Sequence, residues 1–224
     1  MKAYSPYSKT EETCLVLGES GSYYPGVRIE NISFPLTISA IQAGICSCLA
    51  NGDTPVSIYQ NTPVSELRSY WIEEFNLSFY STFPSNPHLY NPLITEEIDI
   101  PETLDALCTK AVTIHSEFPV TALLKTEDGF VPGVNTEVSA WSLGLCAERV
   151  AISRAIAAGL HEFTNMHIYA PKGQFSSPCG ACRQVLAEHM PGKPVELHHD
   201  KETLSKHFTN HLLPYGFITK SLNK

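Results

Sequence analysis

Two short runs hold residue types that chemistry needs at spacings it can use. The first is Cys146-Ala147-Glu148-Arg149, and the second, beyond a gap of 32 residues between Cys146 and Cys179, is Pro178-Cys179-Gly180-Ala181-Cys182. Cys179 and Cys182 are three apart. On a helix they share one face of the first turn, where unpaired amide dipoles favour the thiolate that a soft divalent metal requires. Cys146, at the head of the preceding helix, supplies a third protein ligand and leaves one tetrahedral position open for water, the pattern of catalytic rather than structural zinc. Glu148 sits two residues beyond Cys146, about 200° round a helix. It therefore does not ligate the same ion, but it can border the bound water and shuttle protons. Three thiolates around a divalent cation leave a net negative charge, which weakens acidification of the water relative to imidazole ligands, and Arg149 can offset it. The alternative for the same residues is a redox pair or core thiols, with Glu148 an exposed helix residue.

The elements that must position these side chains come in two copies. At an offset of 107 residues, "YPGVRIENISFPLTISAIQAGI" lies over "VPGVNTEVSAWSLGLCAERVAI", pairing Pro25 with Pro132, Gly26 with Gly133, Val27 with Val134 and Glu30 with Glu137. This is an internal repeat. With a shorter connection in copy one, "TPVSELR" (62–68) lies over "SPCGACR" (177–183). Each copy opens with a β-like pair, that of copy two turning at Asp128-Gly129. Helices and strands then alternate. Copy two gives a helix from about Gly144 to Ala158, the strand "NMHIYAP", a helix from about Pro178 to His189 and the strand "PVELHH", the order of an α/β layered fold. Between the copies, "STFPSNPHLYNPLITEEIDIP" carries four prolines without periodicity, placing the junction between about Asn76 and Pro101. Residues 1–90 form one domain and 100–224 the other. A helix with Leu104, Leu107, Cys108 and Ala111 on one face opens the second, and copy one has no room for its equivalent.

Composition bounds the function. With 43% hydrophobic residues, the chain has a real core. Fifteen basic against 23 acidic residues give a net charge of −8, which repels a phosphate backbone, so no nucleic-acid partner is expected. "MKAYSPYSKTEE" lacks the apolar core of a signal peptide, and no apolar run approaches the roughly 20 residues that span a bilayer. A cytoplasmic protein without membrane contact is expected. Seven cysteines in that compartment indicate metal ligation or burial rather than a disulfide framework.

"CAER" with "PCGAC", preceded by "VNTE" and followed by "LLPYGF", resembles the cytidine deaminase family. The resemblance covers nearly all of copy two and, in degenerate form, copy one. It implies two α/β/α sandwich domains, each around a mixed five-stranded sheet, and one Zn2+ per chain. It also implies hydrolytic deamination of cytidine and 2'-deoxycytidine to the uracil nucleosides with release of ammonia, in pyrimidine salvage. A zinc hydroxide would attack C4 of the base while Glu148 carries protons to N3 and to the leaving group. Asn135 and Glu137, two apart on a strand and so facing one side, match the pair with which the family grips the ribose. Phe118 matches an aromatic beside the pyrimidine, Ala147 a substrate contact, and Phe217 a C-terminal aromatic reaching a site across a subunit interface. The family's Y-x-P-Y-S-x-F lead survives only as Ile114 to Phe118, Thr121 stands where glycine is common, and Val138 replaces a common asparagine.

All four chemical positions of copy one have changed, to Ser39, Ile41, Val64 and Leu67, yet "IENISFPL" is closer to the family consensus than copy two's own segment. Ile32, Ser33 and Phe34 are therefore expected to wall the zinc pocket of copy two, in the same chain or a partner, and the two-copy chain is expected to form a homodimer that imitates a four-subunit assembly. Cys14, Cys46, Cys48 and Cys108 read as core thiols, and Glu66 and Arg68 as surface or interface charges. His198 and His199 face opposite sides of a strand, so no second metal site is expected there. Two other readings stay open: the same chemistry on a cytosine antibiotic or a polynucleotide, and a structural zinc module without catalysis.

Overall fold

The computed structural model describes residues 1–62 and 66–217. Copy one comprises β1 (Thr13–Gly18), β2 (Tyr23–Val27), α1 (Ala40–Leu49), β3 (Pro55–Tyr59), α2 (Glu66–Phe75) and β4 (Ser78–Tyr80). Copy two comprises α3 (Ile100–Leu107), β5 (Thr121–Thr126), β6 (Phe130–Val134), α4 (Ala147–Ala157), β7 (Phe163–Tyr169), α5 (Gly180–His189), β8 (Pro194–His198), β9 (Leu204–Phe208) and the short α6 (Thr209–Leu212). The helices expected around Cys146 and Cys179 begin one residue after each cysteine. α4 is buried along its whole length, whereas α5 buries only Cys182, Val185 and Leu186.

Both sheets are mixed. The second is five-stranded, in the order β6-β5-β7-β8-β9, with β7 and β8 parallel. The first corrects the expectation of two equal sheets: it has four strands among the described residues, in the order β2-β1-β3-β4. After β4 the chain turns away from that edge and bonds instead to the hairpin strands, Tyr90 N–H to Tyr23 O and Ile94 N–H to Phe130 O, each at 2.8 Å, so among the described residues no fifth strand follows β4. β4 lies within the span, about Asn76 to Pro101, in which the junction was placed.

Glycine at the repeat's matched position is required by close packing. A Cβ on Gly133 would lie 2.2 Å from the carbonyl oxygen of Ala147, and one on Gly26 2.0 Å from that of Ala40. In each copy the hairpin strand thus lets the first turn of the following helix sit directly on it. In copy two, that turn begins at Cys146.

The copies meet through α1 and α4 by reciprocal contacts. Gln42 Nε2 donates to Leu143 O at 2.9 Å, and Arg149 Nη2 donates to Leu36 O at 3.1 Å, the same pair of positions exchanged. Ile32 N–H donates to Glu188 on α5 and Ser139 N–H to Glu74 on α2, both at 2.8 Å. Such exchange is the signature of a two-fold, isologous interface, here within one chain. The core is continuous across it: Ile29, Ile38 and Cys46 of copy one pack in one cluster with Val150, Ile152 and Met166 of copy two. Arg154 crosses the same axis, fully buried, donating to Pro132 O, Ser47 O and Ser47 Oγ at 2.6 to 3.1 Å.

Candidate active site

Each cysteine of the triad is placed by a helix start. Cys146 is the N-cap of α4 and makes no side-chain cap bond. Cys179 is the N-cap of α5 and accepts from the amide of Cys182 at 3.5 Å, so the backbone dipoles of the first turn meet its sulfur. The sulfurs of Cys146 and Cys179 are 3.7 Å apart, and all three lie within 4.8 Å of one another. For zinc–sulfur bonds of about 2.3 Å, a tetrahedral edge is about 3.75 Å. The donor set therefore fits zinc in both softness and spacing. The three thiols bond to one another: contacts from Cys146 and Cys182 draw the Cys179 thiol well below its ordinary value, the Cys179 contact raises Cys146, and contacts with both partners raise Cys182.

Glu148 lies in the first turn of α4 and is only 3% exposed. Burial, with the Cys179 thiolate adding, raises its carboxyl to about 7, matched to proton transfer in both directions near neutral pH. Arg149 is buried beside it, anchored through the copy-one carbonyl of Leu36, with its Nε lacking a partner among the described residues.

A cleft of about 180 Å³ opens onto Cys146, lined by Asn135, Thr136, Glu137, Trp141, Gly144 and Leu145. Asn135 and Glu137 follow β6 rather than lying on it, and both are already engaged. Glu137 accepts from the amides of His115 and Ser116 and from the Ser116 hydroxyl; burial opposes ionisation, but these donors outweigh it and hold the carboxyl below its usual range. Asn135 accepts from Val120 N–H at 2.8 Å and donates to Phe118 O at 2.9 Å, fastening the segment that carries Phe118. Trp141 is the lining residue that sequence reasoning missed. It is 64% exposed, edge-on to His115 at 5.7 Å, and its only signal was a large aromatic in the turn before Cys146.

The structure brings the triad, Ala147, Glu148, Arg149, Asn135 and Glu137 together. It does not bring the remaining candidates to that cleft in the same chain. Phe118 is half-buried near Gly173. Phe217 is exposed, held at its carbonyl by Gln184. Ile32 and Phe34 line a separate cleft of about 590 Å³ on copy one, with Tyr7, Arg28 and Glu30, while the amide of Ser33 donates to Asn31. Arg68 corrects its surface assignment: it is 3% exposed, its guanidinium 4.3 Å over Phe79, with a bond to Thr62 O. Leu67 packs against the copy-one core, and Val64 lies outside the described residues. Cys14, Cys46 and Cys48 are buried, as core thiols should be, and Cys108 is half-buried.

A three-thiol zinc site under a buried glutamate, on a mixed sheet flanked by helices, defines a zinc-dependent hydrolytic deaminase. The comparisons agree. The family model described as "Cytidine and deoxycytidylate deaminase zinc-binding region" matches residues 97–195. A cytidine deaminase of Sporosarcina psychrophila is 40% identical over 116 residues, 51% of this chain and 85% of that protein. A probable cytidine deaminase of Dictyostelium discoideum is 36% identical over 110 residues, 48% of this chain and 74% of that protein. Among solved structures, a cytidine deaminase from Burkholderia pseudomallei superposes with a TM-score of 0.50 at 35% identity, covering 53% of this chain and 96% of its own. The chain belongs to the cytidine deaminase family. Among the described residues, no helix is long and apolar enough to cross a membrane.

Proposed function

We propose that the chain hydrolyses cytidine and 2'-deoxycytidine to uridine and 2'-deoxyuridine, releasing ammonia, as a cytoplasmic enzyme of pyrimidine salvage. The observation that carries this reading is the convergence of Cys146, Cys179 and Cys182, with Glu148 buried two residues beyond Cys146 in the first turn of α4. Cys146, Cys179 and Cys182 would hold one zinc ion per chain, which when bound supplies Lewis acidity toward water. Glu148 takes the two protons of the water that adds to C4 in turn, delivering the first to N3 and the second to the departing amine. The C4–N bond breaks as the C4–O bond becomes the uracil carbonyl, so one water is consumed for each ammonia released. Arg149 offsets the charge of three thiolates. Asn135, Glu137 and Ala147 contact the nucleoside, the carboxylate accepting from ribose hydroxyls.

Residues 1–90 serve as the non-catalytic domain and 100–224 as the catalytic one. The chain works as a homodimer in which Ile32, Ser33 and Phe34 of one protomer, with Phe118 and Phe217, complete the pyrimidine pocket. In support, Phe34 is 83% exposed and Phe217 also faces solvent, so both are available to a second protomer. The test is zinc content and cytidine turnover, followed by ultraviolet absorbance, on one sample of wild type and Glu148→Gln. Zinc retained with turnover lost supports the reading; turnover unchanged in the variant would leave only a structural zinc module. Phe34→Ala should raise the KM for cytidine several-fold without removing zinc, and unchanged kinetics would reduce copy one to packing.

A further inference from the structure

A second group of ligand-type side chains converges on the opposite face of the catalytic sheet. Met166 and Ile168 of β7 point into the core under α4, so the alternation of the strand sends His167 to the other face, the one α3 partly covers. On the parallel neighbour β8, the register sets Glu196 beside His167 and His198 beside Tyr169, all on that same face. His198 was set aside in the sequence because His199 points away from it; its partner is instead on the next strand.

His167 Nδ1 lies 3.2 Å from His198 Nε2 and 3.3 Å from Glu196 Oε2, and the three ligand atoms fall within 4.8 Å of one another. Metal–nitrogen and metal–oxygen bonds of about 2.0–2.1 Å in a tetrahedron place ligands about 3.3–3.4 Å apart. Both imidazoles are buried and Glu196 is half-buried, leaving entry from the carboxylate side. Burial also keeps the rings in the neutral, ligating form, with His167 lowered to about 4. Around them stands a supporting layer: Lys206 Nζ at 3.0 Å and Asn165 Nδ2 at 3.2 Å both hold Glu196 Oε1, turning Oε2 toward the rings.

We propose that His167, His198 and Glu196 form a second site, for a divalent transition-metal ion of the zinc class, that clips β7 to β8. Binding shifts the single hydrogen of the neutral His167 ring from Nδ1 to Nε2, which frees Nδ1 to ligate and releases no proton. Water completes the coordination. β7 and β8 are the two strands that the α5 crossover joins, so the clip braces the framework that carries Cys179 and Cys182 without touching them. The nitrogen and oxygen donors separate this site from the all-sulfur triad, and the inference does not depend on the substrate assigned above.

The test uses the full chain with zinc on its cysteines, dialysed against Zn2+ or Co2+ at graded concentrations. Wild type should take up a second equivalent, and Co2+ there should show visible d–d bands without the thiolate charge-transfer absorption of the triad. His198→Gln and Glu196→Gln should each weaken that uptake at least tenfold while the first zinc and cytidine turnover stay unchanged. No second equivalent in wild type, or uptake as tight in the variants, overturns the proposal. If His198→Gln does not fold by circular dichroism, the half-buried Glu196→Gln decides alone.

Discussion

Position for position, the starts of α1 and α4 are one structure put to two uses. Ser39 and Cys146 are both N-caps in extended conformation, but the Ser39 hydroxyl accepts from Gln42 N–H while the Cys146 sulfur caps nothing. Ile41 and Glu148 occupy the same buried place two residues on. Copy one thus holds a good cap and an aliphatic side chain where copy two holds an uncapped helix and a carboxyl that burial penalises. Everything around them is kept in parallel. Glu30 accepts from the amides of Tyr7 and Ser8 as Glu137 does from those of His115 and Ser116, and Lys9 and Glu117 both take positive φ. The lesson is that chemistry occupies few residues and costs stability locally, while the frame that holds them is indifferent to its presence.

The sharpest way to break the comparison is to give copy two the residue of copy one. Cys146→Ser should cut zinc retention by at least roughly a hundredfold and remove turnover, while the chain stays folded because serine caps α4 as Ser39 caps α1; metal analysis and circular dichroism check both halves. Next in size is the residue that joins the copies. Arg154→Ala strands the carbonyls of Pro132 and Ser47 in the core and should cost about 3 kcal/mol in thermal or denaturant unfolding.

Glu148 gives a smaller, pH-dependent effect. Its folded pKa, about 7, stands above the unfolded value of about 4.3, so the stability its protonated form contributes is complete below the lower value and is lost as pH rises through the higher one. In the zinc-stripped chain, Glu148→Gln should therefore raise the unfolding free energy by a margin that grows by on the order of 2–3 kcal/mol from pH 5 to pH 8. A flat margin would show the carboxyl is not buried. Smallest is Ser39→Ala, which should cost about 1 kcal/mol of stability and leave zinc content unchanged.

Much of the site was legible in the sequence because its signals are local. Three cysteines and a glutamate at helix starts are defined by spacings of two and three residues, and the helices themselves by a 3.6-residue period. The repeat was legible for the same reason, as matched short strings. What could not be read depends on residues far apart in the chain. Arg68 looked like a surface charge because its cover, Phe79, comes from the neighbouring strand. The amide of Asn135 looked free because its partners, Phe118 and Val120, return from a separate segment.

The sequence by itself determined which atoms could hold a metal and move a proton, since ligand type and helical phase are properties of short stretches. Only the tertiary structure decided how the two copies share a core, why Arg149 leans on a carbonyl of the other copy, and that His167 meets His198 and Glu196. Strand register and helix docking are settled by burial summed over the whole fold, and no stretch of chain carries that sum.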